Sequence, residues 1–171
     1  MVEERGPTFV DSTVFLGMHS ADDDTRIACK NFFVTRFDRR VSMSFEQIGL
    51  CDNFIWQHAR EVQDVYYPFM DVLHSLLKFD RQPYSEADVM RALHNDSLRE
   101  LPMPARLAVA QAVEAQGTLF SLHPALARDS ASHAALPVLR PAQYDGELSF
   151  PPELEALYRA SLRLRSPGEV L

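Results

Sequence analysis

Two side chains of this 171-residue sequence are placed to share one chemical site: Asp11 and Glu46. Asp11 ends the run Thr8-Phe9-Val10, which suits a buried strand, and Ser12-Thr13 follow it. Glu46 sits in Ser44-Phe45-Glu46-Gln47, directly after a second strand-like run, Arg40-Val41-Ser42-Met43. Ligands of open α/β sheets sit outside the carboxyl ends of the strands, and both side chains are expected at that edge. Two converging carboxylates are hard oxygen donors suited to Mg²⁺ or Mn²⁺. A local reading competes: Glu46 in a first helical turn also complements the helix dipole.

The elements that must carry these residues follow from pattern. A short helix spans 12–18. Asp22-Asp23-Asp24 opens a helix reaching about Phe37, with Ile27, Phe33, Val34 and Phe37 as its buried stripe. Acids in a first helical turn favour the positive end of the helix dipole, so the three aspartates read as a helix start rather than a metal cluster. Ser44 and Gln47 have capping-box spacing, and Met43 with Ile48 can staple that end. The helix from Phe45 extends toward Tyr67, where Pro68 predicts a kink or break before a second piece carrying Leu73 and Leu77. Residues 79–84 read as a connection. Ser85 and Asp88 form another capping pair, with Tyr84 and Val89 able to staple. An Ala-rich helix runs from Ala105 to Gln116, with Pro104 at its first position and Gly117 at C′. Residues 127–135 read as a polar loop, Pro137-Val138-Leu139 as an edge strand, and 152–165 as a last amphipathic helix. This alternation predicts an α/β fold: a three-layer α/β/α domain around a small parallel sheet.

Composition narrows the classes. The length fits one domain over 1–171, with a core over 8–140 and a C-terminal extension. The hydrophobic share of 46% is ordinary for a globular protein. No apolar run is long enough to span a membrane, and the first residues do not look like a signal peptide, so a cytoplasmic location is expected. Cys29 and Cys51 are too few for a disulfide framework or a cysteine zinc site. A net charge of −7 argues against tight non-specific nucleic-acid binding.

Phe9-Val10-Asp11-Ser12, Val41-Ser42-Met43-Ser44-Phe45-Glu46 and the helix running into Thr118-Leu119 together resemble a PIN domain, the metal-dependent ribonuclease fold. That resemblance implies three or four acids holding one or two Mg²⁺ or Mn²⁺ ions, with a metal-bound water attacking an RNA phosphodiester. Asp11 matches the family's first acid and Glu46 its second. Where the third is expected stand Pro104, Ala105 and Arg106, and where the fourth is expected stands His123. An Asp11–Glu46–His123 set therefore implies a changed metal or changed chemistry, since an imidazole suits Mn²⁺, Fe²⁺ or Zn²⁺ better than Mg²⁺; the competing reading of His123 is a strand-end residue bonded to backbone.

A second group of polar residues lies in the helical middle: Asp52, His58, Glu61, Asp64, Asp71 and His74. Some fall three apart on one helix face, which resembles di-iron bundle spacing only loosely. A solvated face is the simpler reading. Three functions stay open: a divalent-metal phosphodiesterase on RNA, a degenerate accessory or partner-binding protein that forms a homodimer, and a metalloenzyme acting on a small molecule.

Overall fold

The computed structural model describes residues 6–126 and 136–165. The loop expected at 127–135 lies outside the described residues. Five parallel strands form one sheet: β1 (Thr8–Val10), β2 (Arg40–Ser44), β3 (Lys78–Gln82), β4 (Thr118–Phe120) and β5 (Val138–Leu139), in the order β3-β2-β1-β4-β5. Seven helices cover it: α1 (Ser12–Gly17), α2 (Asp23–Val34), α3 (Phe45–Trp56), α4 (Arg60–Leu76), α5 (Glu86–His94), α6 (Met103–Glu114) and α7 (Pro152–Ser161). The result is the three-layer α/β/α arrangement that the alternating pattern predicts.

Strand alternation sorts the side chains into two cores. Val10, Val41, Met43 and Phe120 point into the larger core, with Phe32 and Phe33 of α2, Ile55 of α3, Phe69 and Leu73 of α4, and Leu154 and Tyr158 of α7. Phe9 and Leu119 point the other way, onto Ala105, Ala108, Val109 and Ala112 of α6. Small alanines let α6 lie close to the sheet, and α5 packs on α6 from outside.

Several helix starts follow the sequence. Asp22 caps α2 by accepting from Thr25 N, with Asp23 and Asp24 in the first turn. Ser85 and Asp88 make the full reciprocal box. Four expectations need correction. First, the connection expected at 79–84 is largely strand β3, paired in register with β2. Its half-exposed edge sequence, Lys-Phe-Asp-Arg-Gln, lacks the apolar alternation that marks a strand. Second, the break comes at residues 57–59, while Pro68 lies inside α4. There the His58 ring bonds the Phe54 carbonyl at the end of α3. Third, Tyr84 does not serve a staple; its hydroxyl lies between Ser44 and Glu46, and Val89 is exposed. Fourth, the residue at C′ of α6 is Gln116, at φ 52°, not Gly117. Gly117 N donates to Ala112 O and Gln116 N to Val113 O, the paired bonds of a Schellman ending. A glycine is needed at 117 for another reason: a Cβ there would lie 2.4 Å from Pro7 O and 2.9 Å from the Phe9 ring.

The C-terminal segment is fastened by buried charge. Lys30 on α2 is fully buried and pairs with Glu147 at 2.7 Å and Glu155 at 2.8 Å. Arg26 and Arg159 also reach Glu147, and the Asn31 side chain bonds Gly146 O and Leu148 N. The Tyr158 ring lies 4.8 Å from the Lys30 ammonium. His19, fully buried against Tyr66, Phe69 and Tyr158, bonds Ser161 at 2.8 Å; burial first, then nearby arginines, bring its pKa down to about 3. Burial raises the Glu147 pKa, but hydrogen bonds from Lys30 and Arg26 outweigh it and hold the carboxyl at about 2.

Three consequences are measurable. An acid with a depressed folded pKa contributes stability that is present above its ordinary pKa and lost as pH falls through the folded value. Unfolding free energy should therefore decline between about pH 4.5 and about pH 2, with a shallower decline in Glu147→Gln. Lys30→Ala should destabilise the chain by denaturant unfolding, but by less than the about 3–5 kcal/mol of an uncompensated buried charge, because Arg26 and Arg159 still reach Glu147 and Arg159 still reaches Glu155. Gly117→Ala should cost roughly 1–3 kcal/mol, because backbone rather than a flexible side chain must move. An unchanged unfolding midpoint in Gly117→Ala would contradict the close approach of Pro7.

Candidate functional site

From β1 the sheet grows through β2 to β3 on one side and through β4 to β5 on the other. The reversal lies between β1 and β4, and a crevice opens outside the carboxyl ends of strands at such a point. Asp11, Ser12 and Thr13 leave β1 there, and Ser121, Leu122 and His123 leave β4. The two exits are tied together: Asp11 N donates to Phe120 O at 3.3 Å, and Leu122 N donates to Thr13 Oγ1 at 2.7 Å. A cavity of about 160 Å³ occupies the crevice. Asp11, Ser12, Thr13 and His123 line it from the strand side. Gln47 and Leu50 of α3, with Pro102, Pro104 and Ala105 at the start of α6, close the rest.

Asp11 is the N-cap of α1. Its Oδ1 accepts from Thr13 N at 3.0 Å, from Val14 N at 3.3 Å and from the Thr13 hydroxyl. It is 5% exposed, and among the described residues it is the only acid lining the cavity. Burial pushes its pKa above the ordinary 3.8, against hydrogen bonds from Ser121, Thr13 and Val14 that pull it down.

Glu46 is not among the cavity's lining residues. From the first turn of α3 its Oε2 accepts from the Tyr84 hydroxyl at 2.9 Å, and that oxygen accepts from Ser44 Oγ at 2.8 Å. The neighbouring Gln47 lines the cavity instead. Ser44 Oγ accepts from Gln47 N, which is the first half of the expected box. The Gln47 side chain does not fold back to complete it. Its Oε1 accepts from both Ser12 N and Ser12 Oγ, each at 2.9 Å, and its Nε2 reaches toward Pro104 O at 3.4 Å. Reading the sequence missed this residue. The spacing that marked Gln47 was read as local, and nothing in it signals a partner 35 residues away.

His123 shares the cavity with Asp11. Its backbone N donates to Ser121 Oγ, and its Nδ1 accepts from Ala125 N at 3.2 Å. A nitrogen that accepts carries no proton, so the ring proton of this tautomer is on Nε2. Ligation through Nε2 would drive that proton to Nδ1, against the Ala125 N–H. Metal-bound histidines normally donate from the second nitrogen rather than accept there. Arg106 is occupied elsewhere, with its guanidinium on the carbonyls of Leu101 and Arg99.

The donor set therefore does not fit a two-ion centre, which needs several carboxylates around closely spaced cations. Among the described residues, no group of three or more His, Cys, Asp or Glu is placed to hold a metal. The polar residues of the helical middle are engaged separately. His58 bonds Phe54 O, Asp64 pairs with Arg60, and His74 stacks on Phe79 and accepts from Arg81. Burial, then Arg81, lowers the His74 pKa to about 4. Cys29 and Cys51 are buried free thiols whose pKa burial pushes up. No helix among the described residues is long and apolar enough to cross a membrane.

A family model described as a family of unknown function (DUF6190) matches residues 1–171. Among curated proteins, none matches at a significant level. Among solved structures, a chain of a toxin–antitoxin complex from Klebsiella pneumoniae is similar with a TM-score of 0.50 and 14% identity, over 80% of this chain and 99% of that one. At that identity the likeness concerns the fold alone.

The Asp11 environment makes a signed prediction. An acid whose folded pKa is raised contributes stability that is complete below its ordinary pKa and is lost as pH rises through the folded value. Asp11→Asn retains an acceptor for the same N–H groups and carries no charge. Its stability relative to the native chain should rise as pH increases above the ordinary carboxylate value of 3.8 in denaturant titrations. Parallel profiles for the two proteins would show that the carboxyl is not strained by burial.

Proposed function

The chain belongs to the DUF6190 family, and we propose that it is a PIN-like protein that acts by binding at the carboxyl edge of its sheet, not by metal-dependent hydrolysis. The observation that carries this reading is the fate of the acids. Among the described residues Asp11 stands as the single carboxyl group lining the crevice, and one of its oxygens is committed to the N–H groups of α1. Glu46 is committed to Tyr84, and Gln47 takes the neighbouring wall with a neutral amide. Removing carboxylates from such an edge removes the negative charge that would hold two cations and organise a water between them. What is left is a small walled cavity at the place where open sheets bind ligands.

The family resemblance in Phe9-Val10-Asp11-Ser12 and Val41-Ser42-Met43-Ser44 supports the ancestry, and the parallel sheet agrees with it. The structural neighbour is a chain of a toxin–antitoxin complex, so its setting is a two-component one. By analogy, the partner class that this reading favours is a protein.

The test is direct. Purified protein is incubated with a fluorescent single-stranded RNA in Mg²⁺ and separately in Mn²⁺, alongside Asp11→Asn. Metal binding is followed by calorimetry in parallel. The expected result is no cleavage that depends on both the metal and Asp11, and no saturable heat of metal binding. Cleavage that requires Mn²⁺ or Mg²⁺ and disappears in Asp11→Asn would overturn the reading and restore the hydrolase.

A further inference from the structure

Resting on the reading that this edge binds rather than hydrolyses, we propose that the cavity takes a small neutral organic molecule. Its ligand is one ring in size, apolar over most of its surface, and carries one hydrogen-bond acceptor that meets His123.

Size comes first. The cavity holds about 160 Å³. An apolar protein cavity of roughly 150 Å³ accommodates benzene. Sites for larger cofactors and drug-sized ligands run from about 300 to 1,000 Å³. A single substituted ring is the right scale for the volume that the described residues wall in.

The surface comes second. Leu50, Pro102, Pro104 and Ala105 contribute carbon. The polar lining residues direct most of their polar atoms at one another. Ser12 N and Oγ both donate to Gln47 Oε1, while Thr13 Oγ1 donates to Asp11 and accepts from Leu122 N. A ligand that fills the space thus meets mainly methylene and methyl groups, and apolar burial supplies most of its affinity.

Charge and direction come third. Among the described residues no Lys or Arg lines the cavity, so they offer an anion no counter-charge for its lost hydration. The Ala125 N–H on His123 Nδ1 places the ring proton on Nε2, and Nε2 makes no hydrogen bond among the described residues. His123 lines the cavity, so that N–H is a directional group left to a ligand. A carbonyl or ether oxygen on the ligand satisfies it, and a hydrocarbon of the same shape leaves it unpaired.

Full-length protein with labelled leucine and alanine methyl groups is titrated with acetophenone and with an acceptor-free analogue, ethylbenzene, and followed by NMR. Both should shift Leu50 and Ala105, with acetophenone binding about three- to tenfold more tightly, the worth of one net hydrogen bond. His123→Ala should abolish that preference and leave ethylbenzene bound. Ala105→Leu or Leu50→Phe, which fill the space from opposite walls, should abolish binding of both, with unshifted Leu73 and Leu154 methyls reporting an intact larger core. Absence of shifts at Leu50 and Ala105, or a preference for acetophenone that survives His123→Ala, overturns the proposal. Mn²⁺ added to the same sample separates the two readings. Saturable paramagnetic broadening centred on Ala105 and Leu50 would defeat the binding-only function. Probe failure without broadening would defeat the ligand class alone.

Discussion

A carboxyl group taken out of water at the end of the central strand sets the constraint that organises this protein. Asp11 is buried and needs donors, and the chain supplies them by turning into a helix at once, so that the first N–H groups of α1 point back at the acid. The same turn places the Thr13 hydroxyl between Asp11 and Leu122 N, which joins the exits of β1 and β4. It also exposes Ser12 N and Oγ to Gln47, which joins β1 to the helix after β2. Buried polar groups without partners are costly, and at this edge each solution draws in the next element. The topological reversal of the sheet thereby becomes a rigid crevice.

The same accounting explains the chemical character of the site. An acid that caps a helix has fewer lone pairs left for a ligand. An amide at position 47 can both donate and accept, which a carboxylate cannot, and it ties three chain segments together without charge. Prolines and an alanine at the start of α6 bring carbon where the resembled family places an acid. The edge keeps the location that open sheets use for ligands while changing what it can recognise.

The C-terminal segment obeys a different logic. A buried ammonium is tolerable only when it is fully paired, and Lys30 meets two carboxylates and two aromatic faces. Such a cluster is weak ground for great stability, since desolvation offsets much of the attraction. It is strong ground for a single docking position, because any other register of α7 would leave Lys30, Glu147 and Glu155 buried or half-buried without partners.

The sequence by itself determined the features whose causes are local. Thr8-Phe9-Val10 and Thr118-Leu119-Phe120 are strands because short apolar β-formers between breakers have little alternative. Asp22, Ser44 and Ser85 start helices because a side-chain oxygen satisfies an N–H two or three residues on. Asp11 was legible at the carboxyl edge of the sheet as an acid at a strand end, and His123, which only the family resemblance singled out, lines the same cavity. Tertiary structure alone decided the rest. β3 exists because β2 offers it a ladder, not because Lys-Phe-Asp-Arg-Gln favours a strand. Glu46 or Gln47 lining the cavity was a question of which side chain found Tyr84 and which found Ser12, partners 38 and 35 residues away. Lys30 reads as a surface residue until Glu147 and Glu155 arrive from the other end of the chain. Periodicity and capping act over one helical turn, whereas a long-range hydrogen bond depends on where two distant backbones stop, and no spacing within either segment encodes that.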